Sequence, residues 1–252
     1  MKNMFKALYM SFGMFCAIPL PGFWDDSSAK HIMPWLPVVG AVIGAIWWGA
    51  AELLVFLGIH NALSAAAIML IPFMLAGFVH LDGYMDTSDA ILSRRPLEEK
   101  LRILKDPHTG AFAVIMVAAL FIAQFASALA IVDGGVQLML LPIIPVLSRC
   151  CSALAILCIR PMNREGYAAL FKPDKAAPHR IMTILIAACA LAFAWFFTGA
   201  GGLIVAGTVI VGYALAMFCA LESFRFKGVS GDLAGFSLVI GELCGIIALA
   251  VI

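Results

Sequence analysis

The stretch AFAVIMVAALFIAQFASALAIV, residues 111–132, decides the fold class. It runs 22 residues without a charged side chain, and only Gln124 and Ser127 are polar. About 20 such residues, wound as a helix, cross the roughly 30 Å hydrocarbon core of a bilayer. Six further apolar segments, at about 34–57, 61–80, 136–159, 181–200, 202–221 and 233–252, bring the expected spans to seven. Composition agrees: 63% of the 252 residues are hydrophobic and 12% are charged. That charged share is about half the roughly 25% of a soluble protein, and the mean hydropathy is +1.04. The sequence therefore predicts an all-α, polytopic membrane bundle with residues 1–252 as one integral membrane domain. A net charge of +1 argues against a nucleic-acid partner, which calls for a basic stripe.

The amino-terminal segment reads differently. Lys2 and Lys6 precede an apolar run from Ala7 to Leu20, which looks like the start of a signal peptide. No small-x-small cleavage site follows; Pro19-Leu20-Pro21-Gly22 stands there instead. The run is too short to span, so the expectation is an uncleaved helix lying at the interface or entering partway. The seven cysteines are scattered through apolar runs with no CxxC pair and no nearby His, and read as packing residues.

Charge sets the orientation. Lys2, Lys6 and Lys30 precede the first span; Arg94, Arg95, Lys100, Arg102 and Lys105 follow the second. Arg160, Arg164, Lys172, Lys175 and Arg180 follow the fourth, and Arg225 and Lys227 the sixth. Fifteen of the 16 basic residues thus fall in alternate connections, and the intervening short loops carry none. By the positive-inside rule the basic connections are expected in the cytoplasm and the carboxyl terminus outside. Most acids lie on the same side, so any chemistry is expected there.

Asp82, Asp86 and Asp89 follow at i, i+4 and i+7 where the second span runs out. On a helix this spacing puts three carboxylates on one face. Like charges so placed repel, and burial sharpens the cost. Oxygen-only ligation suits Mg²⁺ or Mn²⁺ with phosphate oxygens completing the shell. The plainer alternative is a solvated helix end whose acids pair with Arg94, Arg95 and Lys105. Downstream, Pro96, Glu98 and Glu99 mark a helix start, and Leu97, Leu101 and Leu104 give a surface helix one apolar stripe. It ends at Lys105-Asp106-Pro107-His108-Thr109-Gly110, where Asp106 is the candidate fourth carboxylate and Lys105 or His108 a phosphate contact. In Arg225–Asp232, the run Ser230-Gly231-Asp232 can form a backbone nest for phosphate, or simply cap the last helix through Asp232. Glu52, Arg149 and Glu242 lie within spans and are expected to face the protein interior. Arg149 either holds a carboxylate such as Glu242 or meets a substrate phosphate.

These residues resemble one family. His80-Leu81-Asp82-Gly83, Asp86-Thr87-Ser88-Asp89 and Lys105-Asp106-Pro107-His108-Thr109-Gly110 are similar to the signature of cobalamin synthases, the adenosylcobinamide-GDP ribazoletransferases. Ile18-Pro19-Leu20-Pro21, Pro37-Val38-Val39-Gly40, Ser148-Arg149 and Ser230-Gly231-Asp232 match other family segments in order, so the likeness covers nearly the whole chain. Departures are Ala90 for Gly, Ser230 for Thr, Gly235-Phe236 for a Gly-Ala pair, and a looser Arg164-Glu165-Gly166. The resemblance implies transfer of the cobinamide phosphate of adenosylcobinamide-GDP onto α-ribazole or its 5′-phosphate. GMP is released, and this is the late nucleotide-loop step of cobalamin biosynthesis. It implies Mg²⁺ as cofactor, held by Asp82, Asp86 and Asp89, with His80, Asp82, Lys105 and Asp106 as catalytic candidates. Arg94, Arg95, His108, Arg149, Ser230, Gly231 and Asp232 are the substrate-binding candidates. The attacking ribose hydroxyl is expected to lose its proton to His80 or a spare Asp. Expected partners are the two substrates, the lipid bilayer of the cell inner membrane and, beyond these, a second copy of the chain or other cobalamin-biosynthesis enzymes.

The rival enzyme readings are a CDP-alcohol phosphotransferase, whose motif carries an Ala-Arg after the first Asp-Gly that is absent here, and a prenyltransferase with a second Asp-rich loop. The rival of another class is an ion-coupled transporter, but the acids cluster at one face and no inverted repeat is visible.

Overall fold

The structure is a computed structural model that describes residues 2–135 and 137–252. Met1 and Val136, where the fourth span was expected to begin, lie outside the described residues, as does the side chain of Lys2. The described residues form helices α1 (Lys2–Phe15), α2 (Asp26–Ala29), α3 (Leu36–Phe56), α4 (Asn61–Leu75), α5 (Val79–Leu92) and α6 (Leu97–Ile103). They continue with α7 (Ala111–Gly134), α8 (Ile143–Cys158), α9 (Tyr167–Leu170), α10 (Ala177–Thr198), α11 (Ala200–Ser223) and α12 (Gly231–Val251). Six helical segments are long and apolar enough to cross a membrane, α3 and α8 counted with the short helical turns that lead into them from Met33 and Leu138, each in or near an expected span. Pro near the first position opens α3 and α10, and a left-handed Gly135 closes α7.

The second span departs from expectation. Instead of one helix over 61–80, α4 stops at Leu75, and α5 leaves at 93° to it. Gly77 and Phe78 both take positive φ, 63° and 60°, and the Phe78 N–H closes on the Phe73 carbonyl in a Schellman-type stop. A left-handed Phe costs about 1–3 kcal/mol, which the surrounding packing must repay. The alternation of apolar residues carried no sign of this break. As a result α5 does not continue along the axis of α4; it lies across the first turns of α7 and α12. Tyr84 of α5 donates to the Met116 carbonyl early in α7 at 3.2 Å.

The interior is built on α8 and α12, which pack on each other and together contact α3, α5, α7, α10 and α11. Arg149 is 1% exposed and reaches Glu242 at 2.6 Å, and Ser148 donates to the same carboxylate at 2.8 Å. Of the two readings of Arg149, the buried pair is the one seen. Glu52 contradicts the expectation. It is exposed one turn from the end of α3 and accepts from the Trp48 indole at 2.9 Å. A glutamate that close to a helix end reaches the interface by extending its side chain, with the tryptophan beside it. The outer helix α10 turns Leu185 and Phe196 outward, as a lipid-facing surface requires. All seven cysteines are free. Helix α1 buries Ala7, Met10 and Phe15 against the bundle, in keeping with a helix that does not span.

Candidate active site

Two contacts set the geometry. The first is the crossing of α5 over the start of α12. A Cβ on Gly83 would stand 2.9 Å from the Asp232 Cα, and one on Gly235 3.2 Å from the His80 carbonyl oxygen. Only hydrogen at these two positions allows the backbones this close. Asp82 and Asp86, flanking Gly83 on α5, therefore face Asp232 on α12. Ser230, not Asp232, caps α12: its Oγ accepts from the Leu233 N–H at 3.2 Å. The Asp232 carboxylate accepts from the same Ser230 Oγ at 3.3 Å and stands beside α5.

The second contact joins the loops after α8 and α11. The Met162 N–H donates to Val229 at 2.8 Å, the Val229 N–H to Arg160 at 2.9 Å, and Arg160 Nη2 to Phe226 at 2.7 Å. This zipper brings Asn163, Gly166 and Tyr167 beside Ser230-Gly231-Asp232. Helix α6 lays Leu97, Leu101 and Leu104 on a core that includes Tyr84, Phe224 and Phe236, as its apolar stripe predicted. Lys100 then ties to Ser223 at 2.7 Å, and Lys105 is brought to the same cleft.

The result is a pair of connected cavities. The wider one, about 430 Å³, is lined by Lys105, Asn163, Lys227, Ser230, Gly231 and Asp232. The smaller one, about 200 Å³, carries His80 and Asp82 on its wall and meets the first at Tyr167, Ala168, Gly231 and Asp232. Asp86 feels the whole group: burial first, then the charges of Asp82, Asp232 and Asp89, push its pKa up to about 6. The His80 imidazole is shifted down by burial and then by the Arg149 charge, so it is neutral at ordinary pH. Asp89 sits against the start of α7, where any Cβ on Gly110 would run into its carboxylate. A carboxylate at a helix amino terminus is favourably placed.

Other sequence-chosen residues are elsewhere. Arg94 and Arg95 are exposed on the turn after α5 and line neither cavity. Asp106 and His108 are exposed and face each other, with Nδ1 at 2.7 Å from Oδ1. The His108 N–H groups hold the Asp106 carboxyl below its usual range. The fourth carboxylate of the cluster is Asp232 rather than Asp106. Its arrival depends on a helix crossing between residues about 150 apart, which no local spacing reveals. Sequence reasoning also passed over Tyr167, Phe15 and Phe171; the only available signal was an aromatic beside Gly166 in an otherwise polar loop. Among the described residues no three His, Cys, Asp or Glu side chains enclose a ready-made metal cage. The carboxylate oxygens at the α5–α12 crossing are nonetheless the hard donors Mg²⁺ takes, and Mg²⁺ commonly uses one or two carboxylates with waters and phosphates.

Comparisons with known proteins give the family. A relative from Clostridium botulinum, named adenosylcobinamide-GDP ribazoletransferase, is 41% identical over 248 residues, covering 98% of this chain and 97% of its own. Relatives of the same name from Clostridium perfringens and Lachnoclostridium phytofermentans are 38% and 33% identical. They cover 100% and 98% of this chain and 100% and 94% of their own. No solved structure matches the chain. The sequence model of the family described as Cobalamin-5-phosphate synthase matches residues 7–250, and the chain belongs to that family.

Proposed function

We propose that this chain transfers the cobinamide phosphate of adenosylcobinamide-GDP onto α-ribazole or its 5′-phosphate, releasing GMP. The observation that carries the reading is the meeting of α5 and α12, which sets Asp82, Asp86 and Asp232 beside a cleft flanked by Lys105 and Lys227. The wider cavity would take the pyrophosphate. Lys105 and Lys227 neutralise its oxygens, and the backbone N–H groups at the start of α12 add partial positive charge. Asp82, Asp86 and Asp232 would hold Mg²⁺, which when bound supplies positive charge to the pyrophosphate and the leaving GMP. Asp89, one turn further along α5, completes the negative field. The attacking ribose hydroxyl would enter from the smaller cavity and give its proton to a carboxylate, Asp82 and Asp232 being the two that line it. His80, neutral and buried, positions the acceptor and does not take the proton. That fifteen of the sixteen basic residues fall in alternate connections supports a cleft on the cytoplasmic side of the inner membrane.

The test is GMP release by the purified full chain supplied with adenosylcobinamide-GDP, α-ribazole and Mg²⁺. Activity that disappears in Asp82→Asn and on chelation supports the reading. No GMP from a well-folded wild-type protein overturns it.

A further inference from the structure

The smaller cavity has features that the transfer reaction alone does not require. Apart from Ser152 and the His80–Asp82 side, its walls away from the shared mouth are apolar and partly aromatic, with Phe15, Met33, Ile156 and Phe171. Phe15 and Phe171 meet edge to face at 6.5 Å, and the His80 ring lies nearly parallel to Phe15 at 11°. His80 is 7% exposed, yet its Nε2 has no hydrogen-bond partner. A buried polar atom left unpaired costs about 1–3 kcal/mol, so the site is built to be completed by something else. Of the cavity's lining side chains, His80 is the one with a buried nitrogen or oxygen in that state.

We propose that this cavity is the acceptor-base pocket: the fused aromatic base of the ribazole nucleoside lies among Phe15, Phe171, Met33 and Ile156, and its free ring nitrogen accepts from His80 Nε2. The inference rests on the transferase reading above and names the subsite for one of its substrates. Size and polarity select this occupant. About 200 Å³ is too small for a corrin macrocycle. Guanine presents several donors and acceptors and would leave most of them unpaired against apolar walls. A benzimidazole joined to its sugar keeps one free ring nitrogen, and the pocket offers the buried, unpaired Nε2 of His80 to meet it. With the base so placed, the ribose projects to the mouth at Tyr167 and Gly231, where Asp82 and Asp232 stand and the wider cavity begins. Burial in an apolar pocket with one oriented polar contact is the usual form of a small-ligand site.

The experiment measures binding of α-ribazole to the detergent-purified full chain by equilibrium dialysis, without the GDP substrate, alongside KM for each substrate. His80→Phe keeps the ring shape, removes the nitrogen and relieves an unpaired buried group, so folding is preserved. Ser152→Leu pushes a larger side chain into the cavity from its α8 wall. Each is expected to raise the ribazole Kd and KM about tenfold or more, the loss of one buried hydrogen bond or of fit. KM for adenosylcobinamide-GDP should stay within about twofold. If Ser152→Leu fails to fold by size-exclusion chromatography, His80→Phe decides alone. The proposal is overturned if the folded variants bind ribazole as the wild type does, or if KM rises for the GDP substrate instead. Wild-type protein that binds ribazole but releases no GMP would sink the transferase reading and leave the pocket standing. GMP release with an unchanged ribazole KM in the variants would do the reverse.

Discussion

Gly83→Ala tests whether the crossing of α5 and α12 makes the site. The added methyl would lie 2.9 Å from the Asp232 Cα and 3.0 Å from its carbonyl oxygen, both backbone atoms that cannot rotate aside. Ordinary contacts begin near 3.4 Å, so the helices must part by about half an ångström at the point where their carboxylates meet. Overpacking of this kind costs about 1–3 kcal/mol, partly offset by the roughly 0.5–1 kcal/mol that Ala gains over Gly within a helix. The net loss of stability should be small, on the order of 1 kcal/mol, and visible as a modest fall in Tm. Activity should fall far more, because a displacement near 1 Å of positioned groups can cost about a hundredfold. The assay pairs GMP release with thermal unfolding of the same detergent preparation. Gly207→Ala on α11, where a Cβ meets nothing within 4 Å, is the control and should leave activity unchanged. Gly83→Ala with wild-type kcat would refute the claim that this crossing positions the acids.

Asp86→Asn should lower activity by orders of magnitude, whereas Glu98→Gln and Glu99→Gln on α6 should be nearly silent in the same GMP assay. Because the Asp86 pKa is raised to about 6, the folded state holds its proton more tightly than the unfolded state. Its contribution to stability is therefore full below about pH 4 and lost as pH rises through about 6. Metal-free protein should lose Tm over that window, and Asp86→Asn should flatten the loss. The same proton competes with the cation, so the Mg²⁺ concentration for half-activity should climb as pH falls below about 6; a pH-independent requirement would count against Asp86 as a ligand. Arg149→Met strands Glu242 in the core and should cost about 3–5 kcal/mol, read as a fall in Tm, while Arg149→Met with Glu242→Leu should recover most of it. Lys105→Ala should raise KM for the GDP substrate more than for ribazole, and equal effects on both would assign Lys105 to the loop alone.

Local chemistry by itself determined much of this protein. A bilayer demands long uncharged helices, so Ala111–Val132 and its counterparts announce themselves through composition. Basic residues resist translocation, so Lys100, Lys172 and Arg225 mark one end of the bundle without any knowledge of packing. Asp82, Asp86 and Asp89 share a face because a helix repeats every 3.6 residues, and the structure keeps them on one helix. Tertiary structure decided the rest. The 93° break at Gly77-Phe78 rests on two left-handed residues held by their surroundings, and hydropathy does not register a φ angle. Asp232 joins the acids, and Asp106 does not, because two glycines let α5 and α12 touch. Phe15 at the end of α1 meets Tyr167 and Phe171 at the two ends of α9 to wall one small cavity. Helix periodicity acts over a few residues and can be read from a string; a contact between distant helices depends on which surfaces fit, and that is settled only when the whole bundle packs.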